Sequence, residues 1–188
     1  MKDDEAFTLD DPARLKALAH PMRRLMLRHL NVHGPATSTT LGELLGAKTG
    51  TTSYHLRQLE KYGFIEEIPE RSTGRERWWR RAPDVPRDLR PPTPDQLAPE
   101  DRHLLAEFHR IGMDEDRELF ERFPAAYHRD PDWAKGSRGL GRMTKEEFAA
   151  FFEEYIALLL RYSHRAEDAP PDARPLYIRL FALPADED

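Results

Sequence analysis

Six prolines fall between Ala82 and Pro99 of this 188-residue chain, in APDVPRDLRPPTPDQLAP, and no helical or alternating apolar pattern survives there. Proline fixes one backbone dihedral and removes the amide donor that helices and central strands need. The stretch therefore predicts an extended or turning linker. Regular structure must lie to either side of it, which divides the chain into residues 1–81, a linker 82–99 and residues 100–188. The length suits one domain with a sizeable core, or a small domain with an appended region. Charge is divided in the same way. From Arg14 to Arg81 thirteen Lys and Arg stand against six Asp and Glu, whereas residues 82–188 hold fifteen against twenty-three. The formal net charge of -5 thus hides a basic block between acidic flanks.

The chain has no cysteine, which excludes disulfides, thiolate zinc sites, Fe–S clusters and a thiol nucleophile. Its longest apolar run is of the order of IALLL, too short to cross a bilayer. The acidic start MKDDEAFTLDD lacks the basic, apolar and small-residue regions of an export signal, so a cytoplasmic protein is expected. No Gly-rich phosphate loop, His-Glu-x-x-His or nucleophile-elbow serine occurs, so an enzyme is not expected. Among His103, His109, His128 and His164 no pair has the i, i+4 spacing that sets two imidazoles on one helix face, so neither a metal nor a cofactor is assigned.

The first half reads as short helices and then a hairpin. Asp11 and Pro12 have the types preferred at an N-cap and first helical position, with Leu15 and Leu18 behind them. Pro21 starts a second helix that repeats Met22, Leu25, Met26 and Leu30 on one face and stops at Gly34. In TTLGELLG, Thr40 and Glu43 have capping-box spacing, Leu41, Leu44 and Leu45 are expected inside, and Gly46 can end the helix in a left-handed conformation. A tight turn then leads into TGTTSYHLRQLEKYGFI, whose Leu56, Leu59 and Tyr62 form the inner face of a fourth helix. After Gly63 the period falls to two, so FIEEIPE and RERWWRR predict strands joined by the turn RSTG. This order predicts a winged helix-turn-helix, with the hairpin as wing.

The outer face of the fourth helix carries donors and almost no acid. Arg57 suits guanine O6 and N7, Gln58 suits adenine, Thr51 and Ser53 suit phosphate or base, and Tyr54 offers a hydroxyl and a ring. Lys61 is placed for the backbone. Gly50 and its small neighbours allow the helix N-terminus to approach a phosphate closely. An isolated polar helix face is usually only a solvated one. Here, however, it follows a capped short helix and precedes a hairpin with Arg71, Arg75, Arg77, Arg80 and Arg81. Of Trp78 and Trp79, one is expected in the core rather than stacking on a base. His55, beside Leu56, is expected to be a hydrogen-bonded packing residue.

Beyond the linker, one helix is expected to line up Leu105, Phe108, Gly112, Leu119 and Phe123, and another, from Thr144 to Glu167, Phe148, Phe151, Phe152, Tyr155, Leu159 and Tyr162. Thr144 and Glu147 again have capping-box spacing. Such aromatic faces should pack on each other, on the first helix or on another subunit. RPLYIRLFALP alternates as a terminal strand, with Leu176, Ile178 and Leu180 on one side. The expected class is mainly α with a small β wing, plus C-terminal helices and a terminal strand.

ALAHPMRRLMLRHL, TTLGELLGAKTGTTSYHLRQLEKYGFIEE and RSTGRERWW together resemble the ArsR-type winged-helix transcriptional regulators, especially a group with an added helical C-terminal region. The resemblance covers Asp11 to Arg81. It implies a homodimer that binds double-stranded operator DNA through two recognition helices and two wings. The candidate DNA-binding residues are Thr49, Thr51, Ser53, Tyr54, Arg57, Gln58 and Lys61 on the helix, and Arg71, Arg75 and Arg77 on the wing. Helix 49–62 would read the major groove and wing 64–81 the backbone or minor groove. Many such regulators sense metals or arsenicals through cysteines that this chain lacks. The resulting expectation is a homodimeric repressor whose acidic half supplies dimer contacts and room for a small-molecule effector. A winged-helix module that binds proteins and not DNA is the alternative left open.

Overall fold

The protein is described by a computed structural model over residues 7–74 and 76–185. Helix α1 spans Pro12–Leu18, with Asp11 Oδ1 accepting from the Ala13 amide at 2.8 Å. Helix α2 spans Pro21–His33, and here His20 is the cap, its Nδ1 accepting from the Met22 amide at 3.2 Å. The buried face of α2 is Met26, Leu27 and Leu30, while Met22 and Leu25 are only half-buried. Helix α3 spans Ser38–Leu45 and starts before the Thr40–Glu43 box expected from sequence. The Thr37 hydroxyl accepts from the Thr40 amide at 3.1 Å, so Thr37, not Thr40, is the N-cap. That register turns Leu41 and Gly42 inward and leaves Leu44 58% exposed, against the inward placement expected for it.

Gly46, at φ 61°, closes α3 in the left-handed conformation, and helix α4 begins three residues later, spanning Thr49–Lys61. The two helices approach closely. A Cβ on Gly42 would lie 2.9 Å from the Ala47 carbonyl oxygen, so only glycine fits without a backbone shift. The fully buried Thr52 hydroxyl of α4 lies 2.8 Å from the Ser38 carbonyl and 2.9 Å from the Thr49 carbonyl. Leu56 and Leu59, both fully buried, continue the inner face of α4.

Strands β1 (Ala36–Thr37), β2 (Ile65–Glu67) and β3 (Trp78–Arg81) form an antiparallel sheet in the order β1-β3-β2. The hairpin β2–β3 was expected. Strand β1, two residues of the link between α2 and α3, was too short to show a period, and it pairs Ala36 with Trp79. Trp79 is buried in the core and Trp78 half-exposed, as alternation requires. The same core holds Phe64, Ile65 and Val85. The proline-rich segment is thus laid against the winged unit, with Val85 and Leu97 buried.

Helix α5 spans Arg102–Arg129 and continues past the expected end at Phe123, through Pro124. Its first turns bury Leu104 and Leu105 against Leu15 and Leu97. Farther along, Glu115 pairs with Arg24 of α2 at 3.0 Å, and the Arg24 guanidinium lies 4.7 Å from the centre of the Phe108 ring. Helix α6 spans Lys145–Tyr162 behind the complete Thr144–Glu147 capping box, and ends five residues short of the expected limit at Glu167. The packing expected of the aromatic faces is largely unmet within the chain. Ile156 is the buried residue of α6, whereas Phe123, Phe148, Phe151 and Tyr162 are exposed.

The expected terminal strand does not form: residues 173–184 carry no strand, and Leu176, Ile178 and Phe181 are exposed. A strand requires a partner edge, and this segment is instead tied to α5 and its C-cap, Arg179 to Asp116 at 2.6 Å and Arg174 to Asp130 at 2.7 Å. The fold is mostly helical, a winged helix-turn-helix with C-terminal helices.

Replacing Thr52 with Val keeps the shape of the side chain and removes the hydroxyl that ties α4 to the Ser38 carbonyl of α3. We expect the variant to be destabilised by about 1–3 kcal/mol, read as a lower urea midpoint at unchanged m-value. Leu44→Ala, on the outer face, is the comparison expected to stay within about 0.5 kcal/mol of the parent protein.

Candidate nucleic-acid interface

Helix α4 positions the candidate residues through its own burial pattern. With Thr52, His55, Leu56 and Leu59 turned inward, the 3.6-residue period sets Thr49, Thr51, Tyr54, Arg57 and Lys61 outside, all exposed, and leaves Ser53 and Gln58 half-buried at the margins. Tyr54 is 54% exposed, so it lies on the surface and not in the core. Lys48 precedes the helix without any side-chain cap. The amides of Thr49 and Gly50 are therefore left for an anion at the positive end of the helix dipole, and a Cβ on Gly50 would meet nothing within 4 Å.

The hairpin brings a second set of residues to the same face. Ser38, Ser53, Arg57, Arg77 and Trp79 line one polar recess of about 150 Å³ between α4 and the wing. Ser53 and Arg57 from the helix and Arg77 from the wing thus share one surface. Arg71 is exposed on the hairpin, 5.9 Å from the Trp78 ring centre. Arg75 lies outside the described residues.

The five wing arginines are not equivalent. Arg80 is paired with Glu66 at 2.7 Å, and Arg77 reaches Glu67 at 3.5 Å while staying exposed. Arg81 turns away from this face, donating to Asn31 Oδ1 at 2.9 Å and to the Pro86 carbonyl. Mutual repulsion along the hairpin is therefore relieved in part by the acids of β2, pairs that only the strand register could reveal. Among the described residues Arg57, Lys61 and Arg71 make no ion pair, so their charge stays available to a phosphate backbone.

Behind Tyr54 lies a histidine pair. His20 and His55 have ring centres 4.5 Å apart, and the Tyr54 ring stands 5.2 Å from that of His55. His55 is buried as expected, but its Nδ1 has no partner, which corrects the hydrogen-bonded role expected for it. Burial first, and then the nearby Arg23 guanidinium, hold His20 below the ordinary imidazole range; for His55 the causes are burial, His20 and Arg23. A neutral His20 is also what its capping bond requires, since Nδ1 must accept. Another pair, His29 and His33 on α2, does have i, i+4 spacing, with ring centres 4.7 Å apart. Among the described residues no three His, Asp or Glu side chains converge as a metal site would need.

Residues 18–68 match a helix-turn-helix domain family, a span from the last residue of α1 to just past β2. No curated protein matches the chain. Among solved structures, the transcriptional regulator Tm0710 of Thermotoga maritima aligns with 76% of this chain and 77% of its own at 13% identity, with a TM-score of 0.32. RV1404 of Mycobacterium tuberculosis aligns over 81% of this chain and 83% of its own at 16% identity, with a TM-score of 0.29.

The depressed histidines give stability a pH dependence. The folded-state values lie below the ordinary 6.5, so between those values and 6.5 the unfolded chain binds more protons. The contribution is fully present above pH 6.5 and is lost as pH falls through the folded values. Thermal midpoints should accordingly drop on acidification below 6.5, and the drop should be shallower in His20→Asn, which keeps a capping acceptor and removes one titrating ring.

Proposed function

We propose that the protein is a sequence-specific DNA-binding transcriptional regulator of the ArsR-like winged-helix kind, working as a homodimeric repressor. The observation that carries this reading is the shared recess where Ser53 and Arg57 of α4 meet Arg77 of the wing on one solvent-facing surface. A helix of this size fits the major groove, where Arg57 can fork onto guanine while Tyr54, Thr51 and Gln58 flank it. The uncapped start of α4 suits a phosphate, and Lys61, Arg71 and Arg77 suit the backbone to either side. The protein-only alternative has no feature of this face in its favour: it offers few apolar groups besides Tyr54. The helix-turn-helix match over residues 18–68 supports the same reading. The protein would act where the DNA is, in the cytoplasm, and among the described residues no helix is long and apolar enough to cross a membrane.

The dimer is proposed from the opposite half of the chain. Phe148, Phe151, Leu158, Leu176 and Phe181 are each exposed, and Phe148 and Phe181 line one groove; large apolar side chains exposed in this number are the mark of an interaction surface. A second copy seated there would hold two recognition helices at a fixed distance, matching half-sites about 34 Å or a multiple apart. The open groove of about 390 Å³ between Phe148, Phe152 and residues 180–183 is where a small apolar effector would act on that spacing.

Two measurements test these assignments. On a duplex selected from a random library, Arg57→Ala should cost about 1–3 kcal/mol and lose little on random duplex, whereas Arg77→Ala should weaken both and lower the salt slope by about one unit. Equal losses for Arg57→Ala on both duplexes would refute its role as a base reader. In sedimentation, the parent protein should run as a dimer and a Phe151→Asp, Phe181→Asp double variant as a folded monomer; a parent that is already monomeric rules the dimer out.

A further inference from the structure

Three arginines that the DNA-binding reading does not use meet at the base of the wing. Arg81, the last residue of β3, donates to the Pro86 carbonyl and to Asn31 of α2. Arg165, just after α6, donates to the Pro83 carbonyl. Arg87, from the proline-rich segment itself, donates back to the Ser163 carbonyl and to the Ser163 hydroxyl at 3.1 Å. Residues 83–87 are therefore held between two guanidiniums and contribute a third.

None of the three has an ion-pair partner among the described residues, although the arginines that flank Arg81 and Arg87 in sequence, Arg80 and Arg90, do. Arg80 is taken by Glu66, and Arg90 by Asp88 and Glu153. Arg81 is additionally left with its Nε buried and unbonded. Its acidity shows the consequence: burial, with Arg165 and Arg87 adding to it, pulls Arg81 down to about 10, and Glu167 is the acid that opposes this. Arg81 and Arg165 are half-buried and Arg87 is exposed; gathering like charges where water is even partly displaced is unfavourable unless an opposite charge joins them. Guanidinium groups are also the side chains best shaped to grip a carboxylate or phosphate through paired N–H donors.

We propose that Arg81, Arg87 and Arg165 form a binding site for a small oxyanion, either a phosphate group or a dicarboxylate. The site lies at the far end of the hairpin from its turn: Arg81 pairs with Ile65 at the root of β2, whereas the turn is at Gly74. A duplex held by the wing tip and α4 is therefore not the occupant, and a free anion is. Once bound, it joins β3, the proline-rich segment and the chain after α6 through one set of charge-assisted bonds. That gives a soluble metabolite of the right charge a means to stiffen the junction between the two halves of the chain.

The test uses the full chain, with no DNA. Inorganic phosphate and succinate are titrated separately by calorimetry at ionic strength held constant with chloride, against the parent protein and the single variants Arg87→Gln and Arg165→Gln. These two side chains lie outside the core, and far-UV circular dichroism checks that both variants fold. We expect saturable binding of at least one anion to the parent, weakened about tenfold or more in each variant, as loss of a charge-assisted bond requires. Which anion binds assigns the chemical class. Absence of saturable binding with both anions overturns the proposal, as does binding of equal strength to parent and variants, which would place the anion elsewhere.

Discussion

The contact between α3 and α4 is the constraint on which the presentation of the candidate surface depends. Thr52 reaches the Ser38 carbonyl from inside α4, and Gly42 lets the turn at Ala47 close to a distance that no other residue permits. Together they fix both the separation of the helices and the rotation of α4 about its own axis. An α-helix advances about 100° per residue, so fixing Thr52 inward fixes every other position on the helix. His55, Leu56 and Leu59 follow it into the core; Tyr54, Arg57 and Lys61 are turned out. The outer face is a consequence of the inner one.

Electrostatics then divides the basic residues by task. Those on the exposed side of α4 keep their charge unpaired, while β2 supplies Glu66 and Glu67 to the strand beside it. Exposed pairs of this kind contribute little stability, but they lower the repulsion along a hairpin that would otherwise hold several like charges within a few strand spacings. Arg81 is withdrawn altogether and serves as a fastener between β3, α2 and the proline-rich segment.

The C-terminal half is joined to the winged unit at a few defined places. Leu104 and Leu105 pack on Leu15 and Leu97, and the Arg24–Glu115 pair, mostly shielded from solvent, ties α2 to the middle of α5. Phe148, Phe151 and Tyr162 of α6 and most of the apolar residues after Pro175 are nevertheless exposed. The two ends of α5 are thus unlike: one belongs to a core, the other stands beside a surface still able to bury a large apolar area.

Much of the winged unit was legible in the sequence because its signals are local. Asp11 and Pro12, Pro21, Gly34, Gly46 and the change of period after Gly63 each act within a few residues, and α1, α2, α4 and the hairpin stand where those residues put them. So do the outward positions of Tyr54 and Arg57, since helical period alone separates them from Leu56 and Leu59. Features set by distant neighbours were not legible. Strand β1 exists because Ala36 meets Trp79, 43 positions away in sequence; Leu44 is exposed because Thr37, itself in that strand, caps α3 early. The alternating tail pairs with no strand edge, and its arginines are instead bound to Asp116 and Asp130, partners far away in sequence. Sequence by itself determined which segments are helical and which face of α4 is polar, for these follow from the geometry of one backbone. Tertiary structure alone decided which arginines stay free, which histidines stack and what the proline-rich segment covers, because each depends on charges and surfaces brought together only when the chain closes on itself.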